Sequence, residues 1–134
     1  MTGRDFVKKT PEAVENYLET ILILGRDENP VRSVDIANEL KFSKPTISVA
    51  MKNLRAKGFI VVCESGYITL TESGQAIAKK MYDRHSIISD WLMLLGVNPE
   101  TALRDACKIE HDLSEESFFA LRQHIEKWKN GMYN

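Results

Sequence analysis

Three side chains that can bind a metal ion stand close together near residue 110. Cys107, Glu110 and His111 have the spacing i, i+3 and i+4, which places them on one face of an α-helix about one turn apart. A thiolate, a carboxylate and an imidazole together suit a divalent transition metal better than calcium or magnesium. The spacing therefore indicates a transition-metal site. The alternative is that Glu110 and His111 are solvated and Cys107 is a small buried apolar residue.

Three further side chains are candidates for the same site. His85 lies four residues after Met81 on a long predicted helix, so it faces inward, where a hydrogen-bonded core histidine is the alternative. Asn16 and Glu19 are three residues apart on the first predicted helix and present oxygen donors on one face. The spacing alone does not show that these helices converge.

The elements that must position these side chains follow from the hydrophobic periodicity and from capping residues. The pattern predicts a mainly α-helical fold with a small β-hairpin wing, in which residues 1–71 form a winged helix-turn-helix and residues 72–134 a helical domain. The hairpin pairs residues 60–63 with 67–70 around Gly66. The predicted helices run from 11 to 25, from the cap Ser33 to Leu40, from the cap Ser43 to Gly58, from the cap Thr71 to Gly96, from Asn98 to Leu113 and from the cap Ser114 onward.

A basic segment coincides with the second helix of the helix-turn-helix. Residues 41–57 contain five basic residues and no acidic residue, although the whole chain has a net charge of −1. The start of this helix is expected in the major groove of DNA, with hydroxyl groups on phosphates or base edges, apolar groups on thymine methyls and lysines on phosphates. The candidate DNA-binding residues are Lys41, Ser43, Lys44, Pro45, Thr46, Ser48 and Lys52.

The first turns of this helix contain no Arg, Asn or Gln for bidentate base reading. Sequence specificity is therefore expected to depend on DNA shape and on apolar contacts. For Ser43 and Pro45, helix capping alone is the alternative to DNA contact.

Composition is that of a soluble globular protein, with 43% hydrophobic and 28% charged residues among 134. No apolar run approaches the ~18 residues that cross a membrane, and the first residues have no signal-peptide core. We therefore expect a cytoplasmic protein without a membrane partner, in which Cys63 and Cys107 are free thiols.

The motifs together resemble the diphtheria-toxin-repressor family of metal-dependent transcriptional repressors, which includes the manganese-transport regulators. The matching segments are 16–19, 43–48, 84–85 and 105–114. The resemblance implies a homodimer that binds a palindromic operator with Mn²⁺ or Fe²⁺ as corepressor. It also implies a ligand set, namely Glu19, His85, Cys107, Glu110 and His111, with Asn16 at a further ligand position.

Two features of the resemblance leave the metal open. Asn16 stands where iron-type members carry methionine and manganese-type members carry aspartate. Cys107 is the iron-type choice, whereas Glu19 matches a ligand position of manganese-type members. The sequence thus combines features of both types, and a winged-helix regulator without metal control is the alternative that Asn16 keeps open.

Apolar residues of the last three predicted helices are candidates for the dimer interface, although each of them is equally suited to the core of one chain. They are Trp91, Leu95, Phe118, Phe119 and Trp128. Two further alternatives are weaker. A thiol redox sensor would use Cys107 but lacks a suitable resolving cysteine, and a metalloenzyme would need a general base and an open coordination position that the sequence does not indicate. We therefore expect a regulator and not an enzyme.

Overall fold

The computed structural model describes residues 10–131, which form six α-helices and a two-stranded antiparallel hairpin. The helices are α1 (Glu12–Leu24), α2 (Ser33–Leu40), α3 (Lys44–Ala56), α4 (Glu72–Leu94), α5 (Pro99–Asp112) and α6 (Glu115–Lys129), and the strands are β1 (Ile60–Val62) and β2 (Ile68–Leu70). The predicted mainly α-helical fold with a hairpin wing is confirmed. The chain divides after Lys79 into two compact units, whereas the sequence-based domain boundary at residues 71/72 stays a prediction.

The first unit is a winged helix. Its core is built on fully buried side chains of α1, α2 and α3, among them Leu18, Ile36, Ile47 and Leu54. In the wing, Ile60 pairs with Leu70 and Val62 with Ile68, and the turn between the strands contains Gly66 at φ 87°, a backbone conformation that glycine adopts without strain. The alternation of buried and exposed residues in both strands packs one face of the hairpin on the helices.

The predicted cap of α2, Ser33, was wrong. The backbone N–H of Arg32 donates to Oδ2 of Asp35 at 2.8 Å, so Arg32 is the capping residue and Ser33 is the first residue of α2. A carboxylate in the first turn is a charged acceptor and fixes the helix start one residue earlier. The caps Ser43, Asn98 and Ser114 are confirmed, because each side chain accepts a backbone N–H of its helix.

Acidic residues stand in the first turn of α1, α2, α4, α5 and α6. The first turn of α3 has none. The start of α3 is capped instead by the hydroxyl of Ser43, which accepts from the N–H of Thr46 at 3.3 Å. Pro45, near the helix start, has no N–H that needs an acceptor. Carboxylates near a helix N-terminus compensate the positive end of the helix dipole, so α3 keeps this positive end uncompensated.

The wing and the start of α4 are in close backbone contact. The hydroxyl of Thr71 donates to the carbonyl of Gly58 at 2.7 Å and also accepts from the N–H of Gly74 at 3.2 Å. A Cβ atom at Gly74 would lie 2.1 Å from the carbonyl oxygen of Phe59. The close approach therefore requires glycine at position 74.

The second unit consists of the later turns of α4 together with α5 and α6. Ile88, Ala106 and Phe118 form its core cluster. Phe118, one of the dimer-interface candidates, is thus buried within its own chain. Leu95 and Phe119 are 56% and 61% exposed, and the other two candidates, on α4 and α6, are half-buried.

Candidate metal centre and DNA-binding surface

Three of the predicted ligands meet in the second unit. His85 lies on α4, and Cys107 and Glu110 lie one turn apart on α5. A ring nitrogen of His85, Sγ of Cys107 and a carboxylate oxygen of Glu110 all lie within 4.8 Å of one another. Two ligands bound to one ion at about 2.0–2.3 Å are separated by no more than about 4.6 Å, so small side-chain movements suffice to bring all three donors onto one metal.

The carboxylate of Glu110 occupies the centre of this group. Glu110 is fully buried, and its Oε2 lies 3.1 Å from Nδ1 of His85. Its Oε1 lies 3.4 Å from Nε2 of the buried His111 and makes no hydrogen bond to any group in residues 10–131. A buried carboxylate oxygen without a hydrogen bond is costly, and a bound cation would supply the missing partner. The donor set therefore fits a divalent transition metal.

Burial argues against the alternative to a metal site in the 107–111 segment. Glu110 and His111 are 0% and 2% exposed, which contradicts the alternative of two solvated side chains. Cys107 is exposed, so it is not a small buried apolar residue either. The two polar side chains are buried while the thiol stays accessible, whereas a purely structural Cys107 would be expected to be buried.

The electrostatics of the centre favour a cation. Cys107, first, and then Glu110 raise the pKa of His85 to about 10, against the opposing effect of burial. Both neighbours can carry negative charge and hydrogen-bond the imidazolium, which stabilises the charged form. Because a metal ligand must be deprotonated, an ion at this position would take the place of the proton on His85.

The two predicted ligands of α1 belong to the first unit. Glu19 is 6% exposed and Asn16 is half-buried, and the backbone carbonyl of Asn16 accepts from the hydroxyl of Thr20 at 2.8 Å. Glu15 is a second buried carboxylate of this helix, four residues before Glu19, and was not among the predicted ligands. The part of Asn16 and Glu19 in metal binding stays a prediction.

The predicted DNA-binding residues form an accessible surface at the helix-turn-helix. All seven are exposed, from Lys41 in the turn between the helices, at φ 60°, to Lys52 on α3. Arg32, for which no local pattern indicated a role, is exposed beside the wing. Its guanidinium lies 4.3 Å from the ring centroid of Tyr67 in the wing. This contact could not be predicted from the sequence, because the wing approaches Arg32 only in the folded chain.

Comparison with known proteins agrees with both units. Residues 9–66 match the N-terminal DNA-binding domain of iron-dependent repressors, and residues 71–131 match their metal-binding and dimerisation domain. The transcriptional regulator MntR of Escherichia coli O157:H7 is 37% identical over 116 residues, which are 87% of this chain and 75% of the relative. A helix-turn-helix regulator of Methanocaldococcus jannaschii is 34% identical over 121 residues, covering 89% of this chain and 97% of the relative.

Solved structures show the same fold. A manganese-dependent transcriptional repressor in complex with manganese superposes with a TM-score of 0.77 at 23% identity, over 84% of this chain and 52% of that one. The metal-dependent regulator MtsR gives the same TM-score at 25% identity, over 84% and 53%. The chain thus spans about half the length of these solved relatives. In residues 10–131, no helix is both long and apolar enough to cross a membrane. From the matches to both of its domains, the chain belongs to the iron-dependent repressor family of metal-dependent, DNA-binding transcriptional regulators.

Proposed function

We propose that the chain represses transcription when it binds Mn²⁺ or Fe²⁺, and that it thereby controls the supply of that metal in the cytoplasm. The observation that carries this proposal is the buried Glu110, whose carboxylate lies beside His85 and Cys107 and has one oxygen that makes no hydrogen bond among the described residues. His111, in contact with the same carboxylate, completes the ligand set of the second unit. The family resemblance adds Asn16 and Glu19 of α1.

Each ligand has a distinct part in this proposal. Glu110 neutralises the ion and is already desolvated, so binding does not have to remove water from it. His85 supplies a neutral nitrogen once its proton has left. Cys107 supplies a soft thiolate that favours iron over manganese, whereas the carboxylates favour manganese. We therefore expect both ions to act, with their ranking set by the balance between the two donor types.

Metal binding would raise the affinity of the dimer for DNA by ordering the dimer. A homodimer must place two α3 helices in successive major grooves of a palindromic operator at one time. An ion that holds its ligand helices in one arrangement lowers the cost of ordering the dimer on DNA. Coupling of ~1–3 kcal/mol, typical for two linked sites, would tighten operator binding roughly 5- to 150-fold.

The exposure of side chains supports an assignment of the contacts to DNA and to the second copy. We assign DNA contact to the exposed start of α3, with Lys44 and Lys52 on phosphates, and to Arg32 beside the wing. We assign the dimer interface to the apolar side chains that the second unit leaves exposed, Leu95 and Phe119, together with the half-buried Trp91 and Trp128.

Fluorescence anisotropy with the DNA upstream of the chain's own gene tests the proposal, run without oxygen at fixed salt in chelator, Mn²⁺ or Fe²⁺. The double variant Glu110→Ala, His111→Ala is expected to lose the metal response while its winged helix stays folded by circular dichroism. The matched control Glu116→Ala, His124→Ala removes the same residue types from exposed positions of α6 and is expected to respond as the wild type does.

Two results would contradict the proposal. A metal response retained in the Glu110, His111 variant would remove the metal centre from the mechanism. Equally tight binding of the wild type in chelator and in metal would identify a metal-independent winged-helix regulator.

A further inference from the structure

Arg84 is a buried charged residue next to a metal-ligand position. Only 3% of its surface is exposed, and it directly precedes His85 on α4. Burying a guanidinium is costly unless its N–H groups find acceptors. No acidic residue near Arg84 in the sequence is an evident partner for its charge. Its acceptors can be identified only from the folded structure.

The partners of Arg84 are backbone carbonyls at the end of α5. Its Nη1 donates to the carbonyl oxygen of Glu110 at 2.8 Å and to that of Leu113 at 2.7 Å. Because α5 ends at Asp112, these carbonyls belong to the terminal group that lacks N–H partners within the helix. The positive guanidinium also lies at the negative end of the helix dipole, which strengthens both contacts.

The same side chain reaches α6. Its Nη2 lies 3.4 Å from Oε1 of Glu115, the first residue of that helix, and its guanidinium carbon lies 4.9 Å from the ring centroid of Phe118. Nε of Arg84 makes no hydrogen bond among residues 10–131. The side chain therefore holds the turn between α5 and α6 from its position on α4.

We propose that Arg84 is a positioning residue for the metal centre, which fixes the backbone of Glu110 so that the carboxylate of that residue meets His85. One end of this connection is the residue adjacent to His85, and the other end is the carbonyl group of Glu110 itself. Nδ1 of His85 and Oε2 of Glu110 lie on different helices, 3.1 Å apart. Arg84 thus connects these two helices through protein contacts, independently of any bound metal. The inference rests on the proposed function, because it takes Glu110 to be a ligand.

A positioning role differs from a general role in folding. If Arg84 only satisfied buried carbonyls, its replacement would lower the stability of the metal-free chain and leave the affinity of the folded chain for metal unchanged. If Arg84 positions Glu110, metal affinity falls beyond any change in stability, since an outer residue that orients a ligand typically contributes about 10- to 100-fold in affinity.

The test compares Arg84→Lys and Arg84→Met with the wild type and with Arg122→Met in the full chain. Arg122 lines the same surface cavity of about 250 Å³ as Arg84 but pairs with Glu126 of its own helix at 3.0 Å, so it is a matched control. Mn²⁺ affinity is measured from the electron paramagnetic resonance signal of the free ion. Thermal unfolding and hydrogen exchange of the amides of residues 108–113 are measured in chelator.

We expect Arg84→Lys, which keeps the charge but loses the planar guanidinium that reaches both carbonyls and Glu115, to bind Mn²⁺ about 10- to 100-fold more weakly and to exchange the amides at the end of α5 faster. Arg122→Met is expected to match the wild type in both measurements. Wild-type affinity in Arg84→Lys, or an equal loss in Arg122→Met, would overturn the inference. If Arg84→Met does not fold, Arg84→Lys decides.

Failure of the proposed function would look different. A wild type that binds neither Mn²⁺ nor Fe²⁺ would refute the metal-dependent mechanism, whatever the Arg84 variants do. In that case, faster amide exchange at residues 108–113 in Arg84→Lys would still show that Arg84 stabilises the end of α5. Unchanged exchange would refute this stabilisation.

Discussion

Among the candidate metal ligands, the thiol of Cys107 is the softest donor and an accessible one, since Cys107 is exposed while Glu110 is fully buried. Soft thiolates select ions such as Cd²⁺ and Zn²⁺, whereas carboxylates suit Mn²⁺. We therefore expect Cys107 to have the largest influence on which ion is bound.

Replacing this donor is expected to change metal preference. In Cys107→Asp, a hard oxygen takes the place of sulfur, so affinity for Cd²⁺ should fall relative to affinity for Mn²⁺ by at least about tenfold, equivalent to 1.4 kcal/mol. Competition titrations with a chromophoric chelator measure both affinities. Cys63→Asp, at the other exposed thiol, is the control, and an unchanged Cd²⁺-to-Mn²⁺ ratio in Cys107→Asp would show that sulfur is not a ligand.

At the residue scale, the sequence predicted those parts of the site that depend on local geometry. The spacing of Cys107, Glu110 and His111 on one helix is a local property, and α5 indeed brings Glu110 into contact with His111. The sequence could not show that Glu110 also faces His85 on α4. Nor could it identify Arg84, because its partners are backbone carbonyls, which leave no trace in side-chain patterns.

Helix starts were predicted well because caps are short-range. Ser43, Asn98 and Ser114 each accept an N–H within the first turn of the following helix, so the signal lies within four residues. The start of α2 was misplaced because Asp35 pairs with the backbone of Arg32. The contact between the wing and α4 involves residues 15 positions apart, Gly58 and Ser73, and was beyond any local pattern.

The substitution Gly74→Ala tests the close approach at Gly74, because helix propensity and the contact predict changes of opposite sign in the free energy of unfolding. On helix propensity alone, Gly74→Ala would stabilise α4 by about 1 kcal/mol. Because the added Cβ would lie 2.1 Å from the carbonyl oxygen of Phe59, we expect instead a loss of about 1–3 kcal/mol in the free energy of unfolding. Urea denaturation measures it, with the exposed neighbour Gln75→Ala as the control. A stabilised Gly74→Ala would disprove the tight contact.

The start of α6 carries a small pH-dependent contribution to stability. Lys80, first, and Arg84 lower the pKa of Glu115 below its usual value of 4.5. A carboxylate whose pKa is lower in the folded state stabilises the fold above its unfolded pKa and loses this effect as the pH falls through the folded value. Because Glu115 is 75% exposed, the contribution should not exceed about 0.5–1 kcal/mol.

Glu115→Gln is therefore expected to be slightly less stable than the wild type at pH 7 and to approach it as the pH falls below 4.5. Urea denaturation between pH 3 and 7 measures the difference, with Glu116→Gln as the control. A difference that stays constant over this range would show that the ion pair with Lys80 contributes nothing.

At the scale of the whole molecule, charge distribution matters more than total charge. The chain has a net charge of −1, yet residues 41–57 carry five basic residues and no acidic residue. Such a local concentration of positive charge attracts the DNA backbone even in an acidic protein. The fold class and the family could be predicted because this segment, the caps and the 105–114 motif occur in a consistent order along the chain. The dimer interface could not, because apolar side chains of core and interface have the same pattern, as the burial of Phe118 shows.

In the proposed mode of DNA binding, the uncompensated start of α3 sets operator affinity against thermal stability at one position. Lys44→Glu would add the missing acidic residue and should raise the free energy of unfolding without DNA by about 0.3–1 kcal/mol. The same change should weaken operator binding and lower its salt dependence by about one ion. Thr101→Glu, in the first turn of α5, is expected to stabilise without affecting DNA, and anisotropy with thermal unfolding distinguishes the two. An acidic first turn, which α1, α2, α4, α5 and α6 already have, would therefore be opposed at α3 by selection for the proposed DNA contact.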